Sequence, residues 1–287
     1  MLTSTQNPLV KQIKRLQNAK ERRETQLFLL EGTHLIQEAC AVNYPLETVF
    51  CTPQWQERHP QLWSIVSETS DSLSERLCQR VELVSDEVIK SIATTMNPDG
   101  IVAIAPRMAL PKPPIPANLT IALSTIQDPG NLGTIIRTAA AVGVDGLWVS
   151  RDSVDLDHPK VLRASAGQWF RLAMGVSDDL HALVTSYQQQ GVKVISTTSH
   201  TTTSYWDADL RSPTLILLGN EGAGLSADLA ALAEIQVKIQ TSKKSFMRFD
   251  VSLTKEGCCV FKKTKNQHQR SNQWVCVQVL PMLCWFG

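Results

Sequence analysis

The sequence predicts an α/β protein with two lobes: a small first α/β domain, and a second domain built on a parallel, doubly wound sheet. Three observations support this prediction. Apolar runs of strand length alternate with helix-period segments in both halves of the 287-residue chain. A proline-rich segment at 106–118 separates the halves. In the second half, two glycine-containing turns directly follow apolar strands, as in ligand-binding turns of open α/β sheets.

The first lobe comprises residues 1–106. A basic helix begins near Pro8, a second helix covers Thr33–Cys40, two helical stretches follow the second strand, and a short helix precedes the last strand. The predicted strands are 27–30, 48–51, 81–84 and 100–105. Residues 107–118 are predicted to form a stiff, extended linker, because closely spaced prolines restrict the backbone.

The second domain comprises residues 119–240, where strands and helices alternate. Strands are predicted at 119–126, 146–150, 192–197, 214–218 and 235–239. Helices are predicted near 131–142, 159–169, 178–190 and 226–233. Strict alternation of the two patterns is typical of a parallel sheet with helices on both faces.

The net charge of +1 means that any polyanion must meet a local basic patch, since the overall field is weak. Residues 11–23 offer such a patch, in which only Glu21 opposes the basic side chains. Viewed alone, this run is equally compatible with a solvated helix face. Its basic residues are Lys11, Lys14, Arg15, Lys20, Arg22 and Arg23.

No apolar run approaches the roughly 20 residues that a membrane span requires, and the first residues lack the apolar core of a signal peptide. We therefore expect a cytoplasmic protein without a membrane partner. The seven cysteines include no C-x-x-C pair and no dense disulfide pattern. Free thiols are expected, and no metal site is predicted.

The first glycine-containing turn, residues 127–138, follows a buried strand and runs into a helix. Asn131 follows Pro-Gly and is predicted to cap the first helical turn, while Gly133 allows a ligand to approach the backbone. Arg137 lies one helical turn after Gly133, so its face of the helix is predicted to leave room for a bulky partner. A structural helix start with a solvated arginine is the alternative for this segment alone.

The second turn, residues 219–226, follows the apolar run 215–218 and holds three glycines within six positions. Glu221 is predicted to project a carboxylate into the same sheet edge as Arg137 and to pair with it. The spacing G-x-x-G-x-G differs from the dinucleotide fingerprint, and the chain has no Walker motif. A nicotinamide or triphosphate enzyme is therefore a weak alternative.

Together these segments resemble the SpoU/TrmH branch of the SPOUT RNA ribose methyltransferases. The first motif is similar to Asp128-Pro129-x-Asn131-x-Gly133-x3-Arg137-Thr138-Ala139, and the second to Leu217-Leu218-Gly219-Asn220-Glu221-x-x-Gly224-Leu225. The intervening segment 159–167 also fits that family. In the first lobe, Asn7-Pro8-x2-Lys11 and Phe28-x2-Leu30-Glu31-Gly32-x-His34-Leu35 resemble its substrate-binding domain. The resemblance covers roughly residues 1–240.

The resemblance implies a homodimer whose second domain ends in a trefoil knot. It implies S-adenosylmethionine as methyl donor, no metal, and the 2′-hydroxyl of ribosomal or transfer RNA, not DNA, as acceptor. Arg137 would be the activating residue, with Asn131 and Glu221 in the same site. Gly219 and Ile239 would contact the cofactor. The residues assigned to RNA binding by resemblance are Lys11, Lys14, Arg15, Arg163 and Ser165.

Two physical roles for Arg137 stay open, because a free arginine is protonated at neutral pH and is a poor base. It orients the hydroxyl and the adjacent phosphate as a cationic fork, or it loses its proton only in the bound complex. Placement of oxygen, methyl and sulfur in line should carry much of the rate.

The family pattern breaks after Ile239. The expected third motif is absent, and the only Ser-Leu pair after Ile239, Ser252-Leu253, is followed by a different sequence and lies too far from Ile239. The change indicates either a reading-frame shift near residue 240 or a divergent tail over 241–287, and a foreign tail would leave the knot and the cofactor pocket incomplete. The leading hypothesis is an RNA 2′-O-methyltransferase. The alternative is a non-catalytic RNA-binding relative that has lost cofactor binding.

Overall fold

A computed structural model describes residues 1–68 and 77–239, together with two strands at 250–253 and 259–262. Most of the divergent tail predicted at 241–287 lies outside the described residues. Within those residues, no helix has the length and apolar character needed to cross a bilayer.

The first lobe is a four-stranded sheet covered by six helices within the described part. Its strands lie in the order β1-β4-β2-β3, and only the β2–β3 pair is parallel. All four predicted strands are confirmed. The elements are α1 Pro8–Arg15, α2 Ala19–Thr25, β1 Leu27–Glu31, α3 Thr33–Ala41, β2 Leu46–Cys51, α4 Pro53–Arg58, α5 Pro60–Ser67, β3 Cys78–Leu83, α6 Asp86–Ile92 and β4 Ile101–Pro106.

Residues 107–118 contain no helix or strand and lie against the second sheet. The Met174 backbone N–H donates to the Pro111 carbonyl at 2.9 Å, and the Tyr187 hydroxyl donates to the Pro114 carbonyl at 2.9 Å. A Cβ on Gly146 would lie 2.3 Å from the Pro113 Cβ, so a glycine is required beneath that ring. The linker is thus packed on the second domain.

The second sheet has six strands, all parallel, in the order β10-β8-β9-β5-β6-β7. This confirms the predicted parallel doubly wound sheet. The elements are β5 Leu119–Leu123, α7 Pro129–Ala141, β6 Gly146–Ser150, α8 Pro159–Ala164, β7 Met174–Ser177, α9 Leu180–Gln189, β8 Lys193–Thr197, β9 Thr214–Leu218, α10 Ala227–Ala231, β10 Ile235–Val237, and the antiparallel pair β11 Asp250–Leu253 and β12 Cys259–Lys262.

Three details differ from the sequence prediction. Strand β7 was missing from it, and β5 ends at Leu123, because Thr125 adopts a φ of 56° that no strand accommodates. The helix predicted at 159–169 is two segments, α8 and a 3₁₀ turn at Gln168–Phe170. Ala166 and Gly167, at φ of 48° and 81°, break it between them.

A buried ion cluster joins the lobes. Arg22, 1% exposed, donates from Nε to Asp157 at 3.0 Å and from Nη2 to Asp155 at 3.1 Å. Its remaining donors bind the carbonyls of Leu16 and Gln17. The charge pattern predicts that Arg22 belongs to the solvated basic patch. That prediction is wrong for this residue, because its side chain is buried. Arg22 positions the first lobe on the second.

We expect Arg22→Ala to lower the free energy of unfolding by about 3–5 kcal/mol, because it removes the buried cation that Asp155 and Asp157 share. Arg23 is the matched control, since it pairs with the same Asp155 at 2.7 Å but is 60% exposed. Arg23→Ala should cost only about 0–1 kcal/mol. Urea denaturation of both variants tests this, and equal losses would contradict the buried position of Arg22.

Candidate active site

The two predicted turns meet at the carboxyl edge of the second sheet. Strands β5 and β9 pair directly, and the Ser124 backbone N–H donates to the Leu218 carbonyl at 2.9 Å, just beyond both strands. The strand order reverses between β5 and β9, since the chain proceeds from β5 to β6 on one side and returns through β8 and β9 on the other. Ligands of doubly wound sheets bind at this kind of switch point.

Asn131 and Glu221, ninety positions apart in the sequence, are in contact. The Asn131 side-chain amide Nδ2 donates to the Glu221 Oε1 at 2.9 Å, and both residues are exposed. Asn131 is not the helix cap that we predicted. Asp128 caps α7 by accepting from the Asn131 backbone N–H at 2.9 Å, with Pro129 in the first turn. The Asn131 side chain is thereby available to bind Glu221.

The turn that carries Glu221 is closed by backbone hydrogen bonds. Asn220 and Gly224 bind each other through both N–H and carbonyl groups at 3.0 and 2.9 Å, and the Asn220 Oδ1 accepts from the N–H of Gly222 and of Ala223. A Cβ on Gly219 would lie 2.2 Å from the Gly224 carbonyl carbon. The site therefore needs glycine at 219 for a close backbone approach.

Thr125 connects this turn to the loop after β6. Its φ of 56° is uncommon for a β-branched residue, and three groups hold it there. Its N–H donates to the Ser150 Oγ at 2.8 Å, its hydroxyl donates to the Asp152 carboxylate at 2.8 Å, and its carbonyl accepts from the Asn220 Nδ2 at 2.8 Å. Hydrogen bonds from Ser150 and Thr125 lower the pKa of Asp152. The loops after β5, β6 and β9 thus form one network.

Arg137 lies in the middle of α7, partly exposed. The predicted ion pair with Glu221 is wrong, because the Glu221 carboxylate contacts Asn131 and no Arg137–Glu221 salt bridge forms. Gly133, one helical turn before Arg137, does not open the backbone to a ligand as we predicted. A Cβ on Gly133 would lie 2.5 Å from the Ala164 Cβ and 2.6 Å from the Val161 carbonyl oxygen, so Gly133 permits α7 to pack closely on α8.

Two residues assigned to RNA by resemblance have structural partners. Arg163 donates to the Glu31 Oε2 at 2.8 Å and to the Thr94 hydroxyl at 2.5 Å, so it connects the lobes. Ser165 is fully buried and donates to the Leu162 carbonyl at 2.7 Å. The prediction for Ser165 is wrong because its hydroxyl is inaccessible, and Arg163 is committed to the 5%-exposed carboxylate of Glu31.

The remaining predicted residues are on the surface. Lys11, Lys14 and Arg15 are exposed on α1, whose apolar face packs against the core. Ile239 follows β10 and is 48% exposed. Since β8 alone separates β10 from β9, Ile239 and Gly219 both follow strand ends at the carboxyl edge.

Sequence reasoning missed three contributors to this edge. Asn220 belongs to the second motif, but the sequence does not show that its side chain closes the turn and binds Thr125. The left-handed Thr125 gives no sequence signal. Lys160 lies beside the first turn, with its Nζ 3.3 Å from the Asp128 Oδ2. The Asn131 backbone N–H is the main cause that lowers the pKa of Asp128, and Lys160 adds to it.

Within the described residues, no group of three or more His, Cys, Asp or Glu side chains is arranged to hold a metal ion. Cys40, Cys51 and Cys78 are free and buried. Burial raises the pKa of Cys40 to about 11 and that of Cys51 to about 12.

Solved structures of RNA methyltransferases share this fold. An AdoMet-bound rRNA methyltransferase from Sinorhizobium meliloti superposes with a TM-score of 0.72 at 28% identity, covering 86% of this chain and 91% of that one. A crystal structure of an RNA 2′-O ribose methyltransferase gives 0.70 at 29% identity, covering 85% and 91%. The architecture is that of the SPOUT methyltransferases.

The SpoU rRNA methylase family model matches residues 118–246, and the MRM3-like substrate binding domain matches residues 7–103. A protein of Synechocystis sp. named as an uncharacterized tRNA/rRNA methyltransferase is 42% identical over 241 residues, or 83% of this chain and 84% of that protein. The 23S rRNA (guanosine(2553)-2′-O)-methyltransferase RlmP of Bacillus subtilis is 27% identical, covering 83% and 89%. The chain belongs to the SpoU rRNA methylase family.

The Glu31–Arg163 pair predicts a pH-dependent stability. Burial alone would raise the pKa of Glu31, but hydrogen bonds from Thr95 and Thr94 and the charge of Arg163 lower it below its ordinary 4.5. The stabilisation that ionised Glu31 provides is therefore complete above pH 4.5, its ordinary pKa, and is lost as the pH falls through the lower pKa of the folded protein. We expect Glu31→Gln to cost about 2 kcal/mol at neutral pH.

Urea denaturation of wild type and Glu31→Gln across the acid range measures this difference, which should shrink below pH 4.5. Glu24→Gln serves as control, because its pair with Lys20 is exposed on both sides. A difference that stays constant from neutral to acid pH would show that the ionised carboxylate is not what joins the lobes.

Proposed function

We propose that this chain is an S-adenosylmethionine-dependent methyltransferase that modifies a ribose 2′-hydroxyl in ribosomal or transfer RNA. One observation carries the proposal: the Asn131–Glu221 contact brings the first and second motifs together at the switch point between β5 and β9. The methyltransferase names of the relatives favour an enzyme over a non-catalytic RNA-binding relative. The AdoMet-bound neighbour supports the same methyl donor.

The glycine turn fits such a donor. Gly219 lets the Gly224 backbone approach closely, and the hydrogen bonds between Asn220 and Gly224 close the turn. We infer that Gly219, together with backbone near Ile239, holds the adenosylmethionine. When bound, the donor supplies a methyl group on a positively charged sulfur. No residue has to protonate the leaving group, because the departing thioether is neutral.

The side chains act on the acceptor. The Asn131–Glu221 pair offers an amide and a carboxylate that can position a ribose hydroxyl by hydrogen bonds. Arg137 orients the hydroxyl and its adjacent phosphate through its fork of donors, or it first loses its own proton in the bound complex and then accepts the hydroxyl proton. We assign it the role of the activating residue from its place in the first motif.

We also propose that the chain works as a homodimer, as the family resemblance implies. The exposed apolar surface at the carboxyl edge supports this. Trp206 and Ile239 are 51% and 48% exposed, and a bridge between Ser204 and Lys238 brings their segments together. Light scattering of the purified chain measures the mass.

Arg137→Ala should reduce methyl transfer about a hundredfold or more, because charged donors aimed at a reacting oxygen contribute on that scale. Transfer of a tritiated methyl group to RNA measures the rate, and Arg211→Ala, at the amino edge, is the control. Retained RNA and adenosylmethionine binding should accompany the loss. Unchanged transfer by Arg137→Ala would remove the assigned role.

Gly219→Ala should weaken adenosylmethionine binding about tenfold or more, since overpacking typically costs about 1–3 kcal/mol. Gly222→Ala is the matched control in the same turn, because its Cβ would meet only the Asn220 Oδ1 at an ordinary 3.5 Å. Calorimetric titration of both variants gives the affinities. Equal losses, or none in either, would contradict the assigned cofactor turn.

A further inference from the structure

A polar groove lies along the junction of the lobes, outside the residues so far assigned to catalysis. It consists of a cavity of about 350 Å³ between the lobes and an adjoining one of about 490 Å³ on the first lobe, and the two share Gln17. Both cavities are open to solvent. The junction groove is lined by Lys14, Arg15, Gln17, Asn18, Ala19, Glu21, Arg22, Arg23, Ser153, Val154, Asp155 and His158.

The charge of the groove surface is positive at its outer end. The apolar face of α1 is buried through Val10 and Ile13, which leaves Lys14 and Arg15 in solvent. Neither forms a salt bridge within the described residues. The acidic Asp155 is already occupied by Arg22 and Arg23. In the described part of the chain, Glu21 is the one acidic residue that lines the outer cavity, so Lys14 and Arg15 leave that cavity with a net positive charge for a polyanion to meet, although the whole chain carries only +1.

His158, at the inner end of the groove, lies two positions before Lys160, which stands beside the candidate active site. His158 lines the groove, and its Nδ1 accepts from the Lys160 backbone N–H at 3.1 Å. The Lys160 ammonium lies 3.3 Å from Asp128, which caps the helix that carries Asn131. Burial, followed by the charges of Arg22 and Arg163, lowers the pKa of His158, so the imidazole is neutral and its other nitrogen is a hydrogen-bond donor.

Lys160 is available to an incoming anion. Its side chain is 52% exposed and that of Asp128 is 48% exposed, and ion pairs of this kind contribute little. A phosphate can therefore replace Asp128 as the partner of Lys160 at small cost. A Cβ on the neighbouring Gly130 would lie 2.8 Å from the Asp128 Oδ1 and 3.3 Å from the Lys160 Cε, so glycine leaves room for both side chains.

We propose that the junction groove binds the single-stranded RNA that flanks the target nucleotide. Lys14 and Arg15 contact phosphates at the outer end, and Lys160 binds the phosphate nearest the ribose to be methylated. This inference rests on the proposed function and deepens it, because it assigns the catalytic domain a phosphate contact and fixes the path of the strand between the lobes.

The test measures the affinity of the full chain for a fluorescein-labelled single-stranded RNA oligonucleotide at several salt concentrations. We expect Arg15→Gln and Lys160→Gln each to weaken binding about tenfold at low salt. Each should also reduce the slope of log affinity against log salt by about 0.7, the value for one lost phosphate contact on a single strand. Lys160→Arg should restore most of the affinity.

The matched controls are Lys193→Gln and Arg211→Gln, at the start of β8 and just before β9, on the amino edge of the sheet. They should leave affinity and slope unchanged. Equal losses in controls and groove variants would overturn the groove, as would a slope that neither Arg15→Gln nor Lys160→Gln alters.

Methyl transfer by the same variants separates this inference from the proposed function. We expect Lys160→Gln to raise the KM for RNA while its adenosylmethionine affinity stays at the wild-type value. If the wild-type chain methylates RNA and the groove variants bind RNA with wild-type affinity, the groove proposal is overturned and the proposed function stands. Wild-type chain that neither binds nor methylates RNA would overturn both.

Discussion

The buried charge cluster at the lobe junction is the constraint on which the arrangement of the site depends. Arg22 reaches from α2 into the second domain and is enclosed there by Asp155 and Asp157. Arg107, from the linker, binds the second oxygen of Asp157 at 2.8 Å. Because buried charges are stable only with their partners in place, the cluster permits few relative positions of the lobes. It sets α2 beside the loop after β6, which leads to the catalytic edge.

The catalytic edge depends on a second, smaller network. Thr125 is held in a left-handed conformation by Ser150 and Asp152 on one side and by Asn220 on the other. Strain of this kind persists only where the surroundings determine it, and it occurs frequently at functional sites. Here it connects the loop before the first motif to the turn of the second. The Asn131–Glu221 contact connects the same two motifs from the helix side.

The sequence was sufficient for the parallel sheet and for the meeting of the two turns, because alternating strands and helices leave few topologies. It was insufficient where the role of a residue depends on which side chains it contacts. The sequence analysis predicts Asn131 as the helix cap, but Asp128, which is followed by Pro129, is the cap in the structure. Arg22 and Arg23 are adjacent basic letters, and only the fold shows that one is buried and the other exposed. Strand β7 is four residues long at a sheet edge, too short for its pattern to be recognised.

The measurement that tests the central claim most directly identifies the chemical position of the methyl group. Ribosomal and transfer RNA from cells lacking this gene would be incubated with the purified chain and methyl-labelled adenosylmethionine, digested to nucleosides and analysed by mass spectrometry. The account predicts a label on ribose, in one 2′-O-methylnucleoside. A label on a base, or no transfer by folded chain that binds the donor, would contradict it.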